Sequence, residues 1–506
     1  MNHSDNKKTV MVNFGWKFAE RICAQLVTFT VSIILARILS PDDYGSIALV
    51  TVFITLANVF VSDGLGSALI QKKEATQTDF STIFYTNIAF SIVLYFVIFF
   101  CAPLIASFYN MEILSPVLRV LGLKIPLAAI NSVQQAYVAR KMIFRKFFFA
   151  TIIGTVGSAI LGVVMAYNGF GIWSLVGQYL FNSFVDTVIL WITVKWRPTF
   201  EFSGKSLKSL LSYGWKILAV GLITHLYDEL RTLLIGKMYS SSDLAYFNKG
   251  KQFPHIFITN INASITSVLF PMVSRVQDDK IKLKQYTKQS ISLSSYVMSP
   301  LMIGLAITAP TIIQLLLTDK WMGAVPFLRI FCVGYLLLPI QTANIQAIKA
   351  SGRSDIYLKV EIIKKIIGVG LLVLSIPFGV VAIAISAAVS SFVNSVVNSF
   401  PNKKILNYGY LEQIRDILPN ILIAVLAGGA VYIVQFIKLL PLVELVLQIA
   451  VGILVYVVLS IITHNKNFKY LKSSLITTIN KKWKKKKHDN VEDKKHISSD
   501  EQESNK

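Results

Sequence analysis

Four places in this 506-residue sequence set ionisable side chains inside long apolar stretches. A charge there costs several kcal/mol unless it meets water, a partner or a ligand. Lys17, Glu20 and Arg21 come first, at i,i+3 and i,i+4 spacing, so a helix here carries one charged face. Its cations suit an anionic group such as a diphosphate, which the forked guanidinium of Arg21 would grip at two oxygens. The competing reading is that these residues lie at the membrane edge and snorkel to water. The densest group is His225, Asp228, Glu229 and Arg231, again at helical spacing. Arg231 would hold an anion there, while Asp228 or Glu229, helped by His225, would carry a coupling proton or Na+. The alternative is an internally neutralised Asp228–Arg231 pair that only locks packing. Lys124 and Asp186 each fall near the middle of an apolar run, and either face a cavity or pair with one another. The candidates for binding an anionic substrate are therefore Lys17, Arg21, Lys124 and Arg231. Those for carrying a coupling ion are Glu20, Asp186, His225, Asp228 and Glu229. No metal-ligand spacing and no cofactor motif accompanies them, and no Gly-rich loop for nucleotide phosphates occurs.

Membrane helices have to position these residues. The chain is 54% hydrophobic and 15% charged, where soluble domains run near a quarter charged, so most of it requires lipid as solvent. A helix crosses the hydrocarbon in about 20 residues. Runs of that order occupy Phe14–Leu35, Tyr44–Ser62, Ser81–Phe108, Val117–Ala139, Phe148–Tyr167, Gly171–Val194, Leu211–Ile235, Gln252–Met272, Ser290–Leu317, Ala324–Gln346, Leu358–Pro377, Val380–Phe400, Ile417–Phe436 and Leu442–Ile462. An all-α polytopic membrane protein with about fourteen transmembrane helices follows. The net charge of +23 is spread over alternate connections, which excludes a nucleic-acid face. One set holds Lys72/Lys73, Arg140/Lys141/Arg145/Lys146, Lys195/Arg197/Lys205/Lys208, Arg275/Lys280/Lys282/Lys284/Lys288, Lys349/Arg353/Lys359 and Lys403/Lys404/Arg415. The other set holds scattered single charges: Arg37, Lys237, Lys249, Lys320 and Lys438. The positive-inside rule then puts both termini in the cytoplasm.

Other features have plainer readings. Cys23, Cys101 and Cys332 lie inside apolar runs as small apolar residues. Trp16, Trp173, Trp191, Trp196, Trp215 and Trp321 fit interfacial belts. The amides Gln134, Gln135, Gln178, Asn182, Gln341, Asn344, Asn394 and Asn398 serve better as interhelical hydrogen-bonding groups than as sugar readers. Asp42 and Asp43, after Ser40-Pro41, read as a helix start rather than metal ligands.

The chain repeats itself at an offset of roughly 200 residues, as duplicated transporter halves do. Gly15-Trp16-Lys17 is matched by Gly214-Trp215-Lys216, the stretch from Arg37 through Ser40 to Asp43 by Lys237 through Ser240 to Asp243, Pro116-Val117-Leu118-Arg119 by Pro326-Phe327-Leu328-Arg329, and Gly169-Phe170-Gly171 by Phe378-Gly379. Six helices per half gives two lobes of like orientation, related by an axis along the membrane normal. The expected division is an N-terminal lobe at 1–200, a C-terminal lobe at 201–405, two further helices at 406–465 and a basic, then polar, cytoplasmic tail at 466–506.

Several stretches are similar to one family. They are Leu35-Ala36-Arg37-Ile38-Leu39-Ser40-Pro41-Asp42-Asp43-Tyr44-Gly45, Asp63-Gly64-Leu65-Gly66 through Gln71, Phe108-Tyr109-Asn110, Gly169-Phe170-Gly171-Ile172-Trp173, Leu234-Ile235-Gly236-Lys237 and Lys320-Trp321. In these the chain resembles the Wzx-type polysaccharide and O-antigen flippases, the polysaccharide transporters of the multidrug/oligosaccharidyl-lipid/polysaccharide superfamily. Ala245 stands where that family commonly has Gly. The resemblance implies a flippase of the bacterial cytoplasmic (inner) membrane. It would move undecaprenyl-diphosphate-linked oligosaccharide to the outer leaflet for O-antigen, capsule or exopolysaccharide assembly, by alternating access and with ion coupling. It also implies that Arg21 lines a central cavity, and that membrane lipid, the polysaccharide polymerase and other assembly proteins are partners. Two other classes compete. A drug or cation antiporter of the same superfamily would want an anionic cavity, against the cations of the first helix. A lipid-linked glycan polymerase or ligase would bring its chemistry to a large outside loop, where the longest such connection here is about 15 residues.

Overall fold

The structure is a computed structural model. It describes residues 3–62, 65–72, 74–141, 143–276, 279–437, 439–473 and 476–477, with side chains described from Glu20 onward except at 62, 65, 144–147 and 213. Asp63, Gly64, Lys73, Lys438 and the tail from 478, all named above, lie outside these residues, as do the side chains of Trp16, Lys17, Arg145 and Lys146.

Every apolar run is helical, and the described residues contain no strand. In chain order the helices are α1 (His3–Ile38), α2 (Pro41–Ser62), α3 (Leu65–Gln71), α4 (Gln77–Tyr109), α5 (Leu114–Leu121), α6 (Lys124–Lys141), α7 (Phe144–Tyr167), α8 (Ile172–Thr193), α9 (Gly204–Met238) and α10 (Ser241–Ser274). They continue with α11 (Lys280–Ile307), α12 (Ala309–Leu317), α13 (Val325–Tyr335), α14 (Leu338–Ala350), α15 (Ser354–Ser375), α16 (Val380–Ile405), α17 (Tyr410–Val434) and α18 (Pro441–Ile462). Among the described residues, 11 helices are long and apolar enough to cross a membrane, and two bent pairs bring the number to 13. The pairs are the two parts of α9, at 45°, and α13 with its preceding 3-10 turn against α14, at 42°. The helix of the remaining run, α15, has 22 residues but carries Lys359, Glu361, Lys364 and Lys365 in its first half. The expected all-α polytopic fold is therefore present, with large apolar residues such as Phe100 and Leu104 on α4 and Ile453 and Leu454 on α18 turned outward, as lipid contact requires.

Local chemistry sets the helix ends. Thr76 and Asp79 form a reciprocal capping box at α4, which ends at Asn110 in the left-handed conformation. The Ser40 and Asp43 side chains each accept from the other's backbone N–H, at 3.2 and 3.1 Å. Ser240 and Asp243 repeat this at 3.0 and 3.3 Å. The echo read in the sequence is thus one capping device used twice, at the starts of α2 and α10. Asp279 caps α11 by accepting from the N–H groups of Ile281 and Lys282, and these bonds hold its carboxyl below the usual range.

Two compact units result. The first comprises residues 1–253, 312–328 and 369–386, and the second 254–311, 329–368 and 387–506. The lobe boundaries near 200 and 405 remain a separate proposal, taken up below.

Three expectations change. Helix α10 begins at Ser241, about three turns before the apolar run, so Lys249 belongs to a helix and not to a connection. The side chain interrupted the hydropathy, not the backbone. The run Ser290–Leu317 breaks at Thr308 into α11 and α12. Trp196 and Trp321, expected in interfacial belts, are 5% and 0% exposed, and Trp321 donates its Nε1–H to the Ala36 carbonyl at 2.7 Å.

Candidate functional site

Two polar cavities lie among the described residues of the first unit. The larger, about 310 Å³, lies among α1, α2, α8, α9 and α10, and its polar lining includes Ser32, Tyr44, Thr51, Tyr179, Glu229 and Lys249. Lys249 dominates it. The residue is 5% exposed, and its Nζ donates to Ser32 Oγ at 2.7 Å, 4.2 Å from the ring centre of Tyr44 and 5.6 Å from that of Trp321. Burying an ammonium costs several kcal/mol. The aromatic faces and one hydroxyl recover part of that, and two of its three N–H donors are left for a ligand. Among the described residues no carboxylate forms an ion pair with it. Lys124 approaches the same region from α6, its Nζ 5.5 Å from the ring centre of Tyr179. It is the first residue of α6, at the point where the fourth span breaks after Gly122, so a helix start delivers it mid-span.

The smaller cavity, about 200 Å³, is lined by Glu20 of α1, Asn131 and Gln135 of α6, Thr151 of α7 and Asp186 of α8. Thr151 donates its hydroxyl to Glu20 at 3.3 Å. Asp186 lies within electrostatic range of both Lys124 and Glu20.

The sequence candidates therefore divide. Glu229 lines the larger cavity and Glu20 and Asp186 the smaller, while Lys124 lines neither and lies over the ring of Tyr179 in the wall of the larger one. His225, Asp228 and Arg231 line neither, Arg21 is exposed and lines neither, and the Lys17 side chain lies outside the described residues. Asp228 is exposed, and no ion pair joins it to Arg231, whose buried Nε has no hydrogen-bond partner. The locking pair is not formed. Instead, Asp228, Glu229 and Arg231 all act electrostatically on Lys251 of α10. Sequence reasoning missed Lys249 and Lys251. A signal was present, since both lie within about three helical turns of the Ser240/Asp243 cap, but reading them required carrying the helix through a polar stretch.

One end of the first unit is closed by hydrogen bonds between residues distant in sequence. Arg37 Nε donates to the Leu316 carbonyl at 2.9 Å, and Lys320 Nζ to the Arg37 and Leu39 carbonyls, each at 2.7 Å. Asp42, in the first turn of α2, accepts from the hydroxyls of Ser241 and Ser242 at 2.6 and 2.8 Å. The starts of α2 and α10 touch so closely that a Cβ at Gly45 would overlap the Ser241 carbonyl.

A family model described as "Polysaccharide biosynthesis protein" matches residues 34–326, from the end of α1 through this closed end and past both cavities. The chain belongs to that family. The relatives carry concordant names. The succinoglycan biosynthesis transport protein ExoT of Rhizobium meliloti (strain 1021) is 24% identical over 70% of this chain and 72% of its own. The lipopolysaccharide biosynthesis protein WzxC of Escherichia coli (strain K12) is 26% identical over 67% and 69%. The teichuronic acid biosynthesis protein TuaB of Bacillus subtilis (strain 168) is 23% identical over 69% and 73%. These matches bear out the resemblance to Wzx-type transporters. In fold, the family member is similar to the lipid II flippase MurJ in an inward closed conformation, with a TM-score of 0.74 at 15% identity over 89% of this chain and 99% of that one. It is also similar to a multidrug resistance MATE family transporter, at 0.58 and 15% over 78% and 95%.

Proposed function

We propose that this multi-pass membrane protein flips a polyprenyl-diphosphate-linked oligosaccharide from the cytoplasmic to the outer leaflet of the bacterial inner membrane for surface polysaccharide assembly, and is not an enzyme. The observation that carries the proposal is Lys249, a cation buried in a cavity lined by hydroxyls, amides and the Glu229 carboxylate, with no ion pair to any carboxylate among the described residues. Such a group is costly to keep unless an anionic ligand uses it. In this reading Lys249 and Lys124 meet the diphosphate or an acid group on the sugar, Lys17, Arg21 and Arg231 guide it, and the polyprenyl tail stays in lipid. A buried lysine at this point disfavours a cationic drug as cargo.

Alternating access would use lobes 1–200 and 201–405, with 406–465 as accessory helices and both termini cytoplasmic. The closed end then lies on the outer side, because its connections are those poor in basic residues. Glu20, Asp186, His225, Asp228 and Glu229 are the groups that would couple an ion to rocking of the lobes.

Two measurements test the proposal. Deletion of the gene is expected to trap lipid-linked repeat units on the cytoplasmic leaflet, read by impermeant glycan labelling of inverted and right-side-out vesicles. Purified protein in liposomes is expected to move such a lipid to the opposite leaflet. Unchanged sidedness in both overturns the reading.

A further inference from the structure

We infer that the smaller cavity of the first unit is a binding site for a monovalent alkali cation of the sodium class, held by Asp186, Asn131, Thr151 and Glu20.

The argument begins with oxygens that lack donors. Asn131 is 7% exposed and its Oδ1 has no hydrogen-bond partner, and the buried Oδ1 of Asp186 also has none. Both residues line the same cavity of about 200 Å³, together with the Glu20 carboxylate, the Thr151 hydroxyl and the Gln135 amide. Leaving a buried acceptor without a donor costs about 1–3 kcal/mol, and more for a carboxylate. Two such oxygens facing one small space are better explained by a shared ligand than by two separate defects. That ligand must be positive, since the lining presents acceptors from four helices. It must also be hard, since the proposed ligands are all oxygens with neither sulfur nor imidazole among them. Lys124 already lies within electrostatic range of Asp186, so one further positive charge suits the site better than two.

The backbone makes room for this arrangement. A Cβ at Gly154 of α7 would overlap Asp186 Oδ1, so glycine there lets the carboxylate sit against the helix. That contact is a constraint separate from the lining side chains. A bound cation would tie α1, α6, α7 and α8 at one point. Whether it also drives transport rests on the flippase reading above, whereas binding does not.

The test uses the purified full chain in detergent and in nanodiscs, with thermal unfolding followed against NaCl at constant ionic strength balanced by choline chloride. Na+ is expected to raise the melting temperature saturably, while choline and Mg2+ are not. Asp186→Asn and Asn131→Leu should each weaken the apparent Na+ affinity by at least about tenfold, equivalent to 1.4 kcal/mol. Gly154→Ala should do the same with every ligand side chain retained, and Asp355→Asn, at an exposed carboxylate of the second unit, should leave the Na+ response intact. Size-exclusion elution matching wild type checks that each variant is folded. Direct binding of radioactive sodium to the wild type must agree. No saturable Na+ effect on folded wild type, an equal effect of Mg2+, or an unaltered response in both Asp186→Asn and Gly154→Ala overturns the site. Sodium binding without flipping in liposomes would sink the transport reading and leave the site. Flipping without sodium binding would do the reverse.

Discussion

Two lysines, one buried and one 14% exposed, show how differently the units treat charge. Lys364 of α15, in the second unit, is paired with Glu361 one turn away at 2.6 Å. Lys284 and Lys288 of α11 meet Glu412 and Asp416 of α17 at 3.0 and 2.7 Å. Three amides of that unit are also tied together, with Asn344 donating to Gln413 at 2.7 Å and Asn402 to Asn344 at 2.6 Å, while the buried side-chain oxygens of Asn394, Asn398, Asn402 and Gln448 have no partner. Lys249 of the first unit instead has a hydroxyl, aromatic faces and a cavity, and Asp186 has an oxygen with no donor. A charge satisfied by its neighbours fixes packing. One left facing a cavity is available to a ligand.

The sharpest way to break this contrast is at the closed end. Gly45→Leu would push a side chain into the Ser241 carbonyl, and overpacking of about 1–3 kcal/mol would bias the protein against this closed form by about five- to 150-fold. Complementation of surface glycan in a deletion strain should fail while the protein stays in the membrane. Next, Lys249→Met should cut flipping in liposomes by about tenfold or more while the melting temperature holds or rises, because an apolar isostere relieves a buried charge. If flipping were unchanged, Lys249 would be a packing residue like Lys364.

The second unit should behave oppositely. Gln413→Leu removes the acceptor of one Asn344 N–H and the donor to the Tyr408 carbonyl and should lower stability by about 1–3 kcal/mol in denaturant melts, with transport per folded molecule unchanged. Lys284→Gln, at a half-exposed pair, should change stability by only about 0–1 kcal/mol. The smallest effect concerns pH. Arg353 holds the exposed Asp355 carboxyl down at about 2, so its stabilising share is complete above the ordinary carboxylate range of about 4 and fades as pH falls towards 2. Asp355→Asn should remove only that slight acid-side dependence in melts taken across the range.

The fold was legible because lipid imposes a simple rule: long apolar runs must be helices, and their polar punctuation marks the ends. The capping repeat at Ser40/Asp43 and Ser240/Asp243 was equally visible, since capping is local. Site chemistry was legible only in part. Glu20, Lys124, Asp186 and Glu229 were found because they interrupt apolar runs, whereas Lys249 was placed in a connection and Asn131, a neutral amide, gave no signal.

Sequence alone, then, determined the helices, their caps, the internal repeat and the resemblance to polysaccharide transporters, all of which depend on residue type and short-range spacing. Only the tertiary structure decided which charges share a cavity and which are paired. Those contacts join helices far apart in the chain, such as Ser32 to Lys249 and Thr151 to Glu20, and no periodicity encodes which faces of two helices meet.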